Sequence, residues 1–327
     1  MDILPVDAIG FMNACFRMIR ESGFLFPLAG RINMNAMNRS FLRLRGVTFL
    51  VILALGLDGK AFAQVAVYGV EKQIDYLQNS SSAPTVNSGR DANPYSFHAF
   101  VQGNNIGGRT PAPTVTLPDS TTLNLIPGAG GFFAWSISNS SGDTSFLSKA
   151  ALDAAYPNGI YSMSIGSVSG ILLTLTPDSY PPAPQFTHGS WDSNGNLIIN
   201  ASAPYTFSFN TFPGYANGGF ASFELDDGSR RVFKREIFSA TGEPLLTSYT
   251  LPSNWLVPGT TYTGFMSYNQ ILTANAAAIS GATGYAIFSR ETNFSVTAVP
   301  EPKTYAMMLA GFGLAGFVAR RRIEKGA

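Results

Sequence analysis

The chain has 327 residues, 45% of them apolar and only 13% charged, with 33 glycines, 20 prolines and one cysteine. The length fits two domains, and a charged share about half the globular norm fits a β-rich exported protein with many turns. A single cysteine, Cys15, excludes a disulfide framework, so the fold rests on its apolar core. The net charge of +1 is unevenly spread: residues 64–298 carry nine basic and fourteen acidic residues, a charge of −5, and the positive excess lies in the two ends. An acidic middle argues against a nucleic-acid partner, which needs a basic face.

Taken in order, the chain opens with a targeting segment. Arg39, Arg43 and Arg45 precede an apolar run from Val47 to Leu57, followed by Ala61-Phe62-Ala63. This is the layout of a secretory signal helix, routed through the Sec translocon and cleaved between Ala63 and Gln64. Residues 1–33 stand in front of it without a pattern of their own and read as a start-site extension, with Met34 or Met37 a more typical beginning.

From Gln64 the pattern turns to β. Val65, Val67 and Val70 predict a first strand, and Thr114–Leu117 and Thr122–Leu125 predict two more around the turn Pro118-Asp119-Ser120. Phe132–Ile137 predicts another. Ser148–Tyr156 is the one good helix candidate. Tyr161, Met163 and Ile165 alternate with serines, and Ile171, Leu173 and Leu175 share a face on the return strand. Four prolines within residues 177–184 predict a stiff connector. The expected units are therefore a leader at 1–63, one domain at 64–178, a second at 179–298, and a tail at 299–327.

The second unit repeats the grammar. Asp192–Asn196 predicts a tight turn; Tyr205, Phe207 and Phe209 predict a half-buried strand; Asp226-Asp227-Gly228 predicts a hairpin. Gly264–Tyr268, Tyr285–Ser289 and Asn293–Val296 predict the last strands. Pro157-x-Gly159-x-Tyr161 has an echo in Pro258-Gly259-x-x-Tyr262. Both resemble the tyrosine corner of immunoglobulin-like and fibronectin type III sandwiches, in which the phenol closes onto nearby backbone. The expected fold class is all-β: two such sandwiches, flanked by the signal helix and a C-terminal transmembrane sorting helix.

The tail has three parts. Val299-Pro300-Glu301-Pro302 is extended, because proline fixes φ and removes a donor. An uncharged run from Tyr305 to Ala319 follows, short of the roughly 20 residues of a full span. Arg320, Arg321 and Arg322 then stop translocation on the cytoplasmic side. This arrangement resembles the PEP-CTERM sorting signal of Gram-negative bacteria. The resemblance implies that an exosortase, a membrane-embedded cysteine peptidase, recognises Pro300-Glu301-Pro302 during transient anchoring in the inner membrane. It then removes the tail, leaving the protein at the cell surface or in the exopolysaccharide of a biofilm matrix.

Catalytic motifs are weak. His98 and His188 lie far apart, and Gly166-Ser167-Val168-Ser169-Gly170 has a valine where a nucleophile elbow needs serine. Glu224, Asp226 and Asp227 read as a solvated hairpin tip before a calcium site. Trp135, Trp191 and Trp255 could stack on sugars if exposed, though filling the cores is the commoner use of such rings. No cofactor or metal is expected. The leading expectation is a non-enzymatic structural or adhesive protein; a carbohydrate-binding module is the alternative. A secreted hydrolase is a third reading, requiring two carboxylates in one site or a serine beside a histidine.

Overall fold

Period-two alternation makes most of this chain strand, and the order of those strands is visible in a computed structural model. It describes residues 64–86, 93–104, 111–127, 134–137, 144–228 and 231–301, with Met307, Ala310 and Phe312 in the tail. The signal residues Ala61 and Ala63, and Pro302 and Arg320–Arg322 of the tail, lie outside the described residues.

The first half runs β1 (Gln64–Leu77), β2 (Thr85–Val86), β3 (Tyr95–Asn104), β4 (Thr114–Thr116), β5 (Thr122–Asn124), β6 (Ile126–Pro127), β7 (Ala134–Ser136) and β8 (Ser145–Phe146). Helix α1 (Lys149–Ala155), β9 (Gly159–Ile165) and β10 (Val168–Leu175) complete it. The second half runs β11 (Ser190–Trp191), β12 (Leu197–Asn200), β13 (Tyr205–Ser208), β14 (Gly219–Asp226), β15 (Arg231–Phe238), β16 (Ser248–Leu251), β17 (Thr261–Asn275) and β18 (Thr283–Val299). Helix α1 forms where its cap predicts it: Ser148 Oγ accepts the N–H of Ala151, and Leu152 is its buried anchor.

Twelve strands join in one sheet whose main path is β15-β14-β17-β18-β1-β3-β7-β6. β4, β5, β9 and β10 form a second sheet, and β13 and β16 a third. One face of the large sheet carries both cores. At one end Val65, Tyr68, Val70, Phe97, Ala99 and Phe288 meet Val115, Tyr161, Met163, Ile171 and Leu173 of the four-stranded sheet. At the other, Leu197, Phe223, Met266, Phe294 and Val296 meet Phe207 and Leu251 of the small sheet, with Phe186 and Phe209 between. Each core is thus a sandwich, and the chain is all-β as expected.

The division between the halves differs from the expectation of separate sandwiches. β18, the last strand of the second half, lies parallel to β1 from Thr283 to Asn293 and parallel to β12 from Leu197↔Val296 to Asn200↔Val299. Its other edge pairs antiparallel with β17 along nearly its whole length. Ala286 and Phe288 therefore belong to the first core, and Phe294, Val296 and Ala298 to the second. The proline connector is also clamped rather than free. Gln78, 1% exposed, donates to the Phe186 carbonyl at 3.1 Å and accepts the Phe186 N–H at 2.8 Å. Thr292 Oγ1 donates to the Pro184 carbonyl at 2.7 Å, and Tyr180 packs its ring 4.6 Å from Phe288. Buried backbone groups need partners, and here the partners come from Gln78, directly after β1, and from β18.

Both tyrosine corners form. Tyr161 Oη donates to the Pro157 carbonyl at 2.7 Å, and Tyr262 Oη accepts the Val257 N–H at 2.8 Å. Both rings are buried, one in each core. Gly264 has a structural reason that the sequence hides: a Cβ there would meet the Phe294 ring and the Glu224 carbonyl at 2.5 Å. The first half also buries a cation. Lys72 Nζ, with no exposed side-chain surface, donates to Asp153 Oδ1 at 2.7 Å and Asn158 Oδ1 at 2.6 Å, tying β1 to the segment around α1.

Phe294→Ala should destabilise the protein by about 3–5 kcal/mol, because it leaves a cavity where β18 enters the second core. Tyr161→Phe should cost about 1 kcal/mol through the lost corner bond. Urea titration of each variant checks both values. Since the cores share β18, both losses should appear in the same unfolding transition.

Candidate functional site

The sorting segment begins where the large sheet ends. The Val299 carbonyl accepts the N–H of Ala201 at 2.9 Å, and the Ala298 carbonyl accepts the N–H of Gly259 at 2.7 Å. Pro300 has no N–H and stops the ladder. Val299, Pro300 and Glu301 are half-buried against the body. The first residues of the expected motif are therefore held at the end of β18 with no spacer between fold and motif. At the other terminus of the body, Gln64 is the first residue of β1.

The three tryptophans separate. Trp135 on β7 is 5% exposed and belongs to the first core. Trp191 on β11 packs against the second, with its ring 6.5 Å from Phe186. Trp135 fills its core, while Trp191 is half-buried at the edge of the second. Trp255 is 46% exposed. The acidic cluster is a hairpin end: Glu224 pairs with Arg231 Nε at 2.8 Å, and Asp226 Oδ1 accepts the Gly228 N–H at 2.6 Å. Asp192 likewise closes its own turn by accepting from the N–H groups of Asn194 and Asn196. Those bonds, led by the one from Asn196, hold its carboxyl below the usual range.

Strand register assembles a group that spacing could not reveal. On the face of the large sheet away from the cores, Glu71, Gln73 and Asp75 of β1 lie beside Ser289 and Glu291 of β18, with Asp75 directly opposite Glu291. Across β1, Glu71 is opposite His98 and Gln73 opposite Ser96 on β3. Ser267 and Asn269 of β17 and Ser222 of β14 continue the polar row. Ser222 and Ser267 share a hydrogen bond at 3.2 Å, and Asn269 Nδ2 donates to Ser267 Oγ at 2.9 Å.

Ser96 Oγ lies 3.0 Å from His98 Nε2, the contact that a hydrolase would require. Burial pushes the His98 imidazole down to about 4, so it is neutral and a weak base near pH 7. The Glu71 carboxyl, on the residue opposite His98, is raised by burial first and then by the Asp75 charge. Ser96 is itself 8% exposed. His188, the second histidine, rests against Thr187 Oγ1 at 2.9 Å on the surface.

Burial raises Glu71 to about 7, and Glu291, buried beside Asp75 and Glu71, stands well above the usual carboxylate range. The folded chain thus keeps a proton on Glu71 that the unfolded chain releases near pH 4.5. Stability from this group is complete below that pH and is lost as pH rises toward 7. His98 acts in the opposite sense, costing stability as pH falls from 6.5 toward 4. Glu71→Gln should therefore stabilise the protein at pH 8 by about 1–3 kcal/mol and change little at pH 4. Denaturant midpoints at the two pH values measure this; an equal change at both would contradict it.

No curated protein matches the chain. Among solved structures, a match is found to the FN1-FN3 domains of chicken CNTN1, at 8% identity and a TM-score of 0.18, covering 70% of this chain and 66% of that one. A likeness that low carries no argument, and the all-β character rests on the strands themselves. A family model does match: the PEP-CTERM protein-sorting motif, over residues 298–322. Its span opens at Ala298, on the last rungs of β18, and takes in the proline motif, the apolar run and all three arginines. The chain carries a PEP-CTERM protein-sorting motif, which implies processing by an exosortase, export, and a place at the cell surface or outside the cell.

Proposed function

We propose that the protein is a structural or adhesive component of the cell surface or of the exopolysaccharide matrix, without catalytic activity of its own. The observation that carries this reading is the sorting motif at 298–322 joined directly to the last strand of a double sandwich. Sorting delivers the folded body to the outside, and the tail is then removed. The body delivered is one large sheet backed by two smaller ones, stabilised without disulfides by aromatic clusters. Phe186, for example, packs in tilted and edge-on contacts among Phe207, Phe209, Phe223 and Phe294.

A role in holding glycans is supported less. Trp135 is committed to the first core and Trp191 is half-buried against the second, which leaves Trp255 as the one well-exposed ring of the three. The hydrolase reading has its serine beside His98, but in a buried setting.

Intact mass spectrometry of the protein recovered from the extracellular matrix of its native host tests the proposal. The expected mass runs from Gln64 to a terminus within Pro300–Pro302. Because Val299 is hydrogen-bonded into the sheet, the cut falls beyond it. A mass that retains Tyr305–Arg322 would make the tail a lasting anchor and overturn the matrix assignment.

A further inference from the structure

The loop joining β16 to β17 lies beside the point where the sorting tail leaves the body. It runs from Pro252 to Thr260 and is fastened at four places. Asn254 N–H donates to the Ala201 carbonyl at 2.7 Å, Gly259 N–H to the Ala298 carbonyl at 2.7 Å, and Thr260 N–H to the Val257 carbonyl at 3.2 Å. Val257 N–H donates to the tyrosine-corner hydroxyl of Tyr262 at 2.8 Å. Asn254 and Gly259 supply the left-handed backbone that the loop needs, at φ 60 and 81°. Between these ties, Leu256 is driven into the second core at 3% exposure. Its neighbours on either side point outward: Trp255 is 46% and Val257 60% exposed. A rigid loop thus holds two large apolar side chains in solvent, at the end of the molecule where the tail departs.

That location fixes what stands opposite. From Val299, the six residues Pro300–Tyr305 reach the start of the apolar run. Extended, they span at most about 20 Å. The interfacial zone of a bilayer is itself roughly 5–8 Å deep on each side, so while the tail is inserted the loop faces lipid headgroups at close range. Tryptophan is favoured in that zone, with an apolar body and a polar N–H. The chain nearby is also suited to it: residues 193–223 and 244–289 contain no Asp, Glu, Lys or Arg. The charges at this end belong to the β14–β15 hairpin, with Asp226, Asp227 and Arg231, and to Glu301. Adjacent acidic groups favour a zwitterionic surface over an anionic one.

We propose that Trp255 and Val257 form a membrane-contact tip that seats the folded body on the outer surface of the bilayer while the sorting tail is inserted. The tip presents the Pro300-Glu301-Pro302 segment at the level of the membrane and lets go when the tail is removed. The proposal rests on the reading of the tail as a membrane insert, and its test separates the two.

The full-length chain is reconstituted into vesicles of phosphatidylcholine brominated on its acyl chains, which quench nearby tryptophan emission. Digestion with protease and mass spectrometry of the protected peptide then reports whether Tyr305–Arg322 is inserted. The expected result is a protected tail with quenched emission, the quenching disappearing in Trp255→Phe and weakening in Val257→Ser while circular dichroism stays unchanged. Trp135, buried in the first core, and Trp191, half-buried against the second, stay unquenched. A protected tail with no quenching, or quenching unaltered in Trp255→Phe, overturns the membrane tip and leaves the tail reading intact. An unprotected tail overturns both.

Discussion

One strand, β18, is hydrogen-bonded along both edges, and the rest of the structure depends on that. β17 occupies one edge, while β1 and β12 share the other. The same strand face puts Phe288 into the first core and Phe294 into the second. Pairing of this kind satisfies a long run of backbone donors and acceptors that would otherwise be costly to bury. It also joins residues more than two hundred positions apart, such as Val67 and Thr283. Contacts so distant in sequence are slow to form, since loop closure is opposed by entropy. The strand that completes both cores is also the last element before the tail.

This places fold and sorting signal in one sequence of events. The motif begins where β18 ends, with Val299 still bonded to Ala201. A body that has not recruited β18 offers a processing enzyme a loose segment. A completed body offers one fixed at the edge of a sheet, with Pro300 blocking any further ladder. With the tail inserted as proposed, the absence of a spacer sets the distance between body and membrane, and the proposed tip at Trp255 takes its meaning from that distance.

Much of this was legible in the sequence where the signal is local. The alternation Tyr161, Met163, Ile165 marks a half-buried strand, and all three side chains are buried on β9. Ser148 marks the start of α1, and the Pro-Gly-Tyr spacings mark both corners, because each depends on residues within a few positions of one another. β18 was not legible as a single strand. Arg290, Glu291 and Asn293 interrupt its apolar pattern, so it reads as two short strands; with both faces occupied and the far one polar, alternation is masked. Its partnership with β1 is a matter of register, which no local pattern encodes, so the sequence does not announce that strands on either side of residue 178 join one sheet. The pairing of Glu71 with His98 was hidden for the same reason. The tryptophans show the limit of composition: Trp135 and Trp255 count alike in it, and packing makes one core and the other surface.

The most direct measurement is the folding of a chain ended at Gly281, which lacks β18 and everything after it. If β18 is the member on which both cores depend, this chain shows no cooperative thermal transition, and the emission of Trp135 and Trp191 is that of solvated rings. A cooperative transition with Trp135 still in an apolar setting would mean that the first sandwich stands alone, and the account of a single strand serving two cores would be wrong.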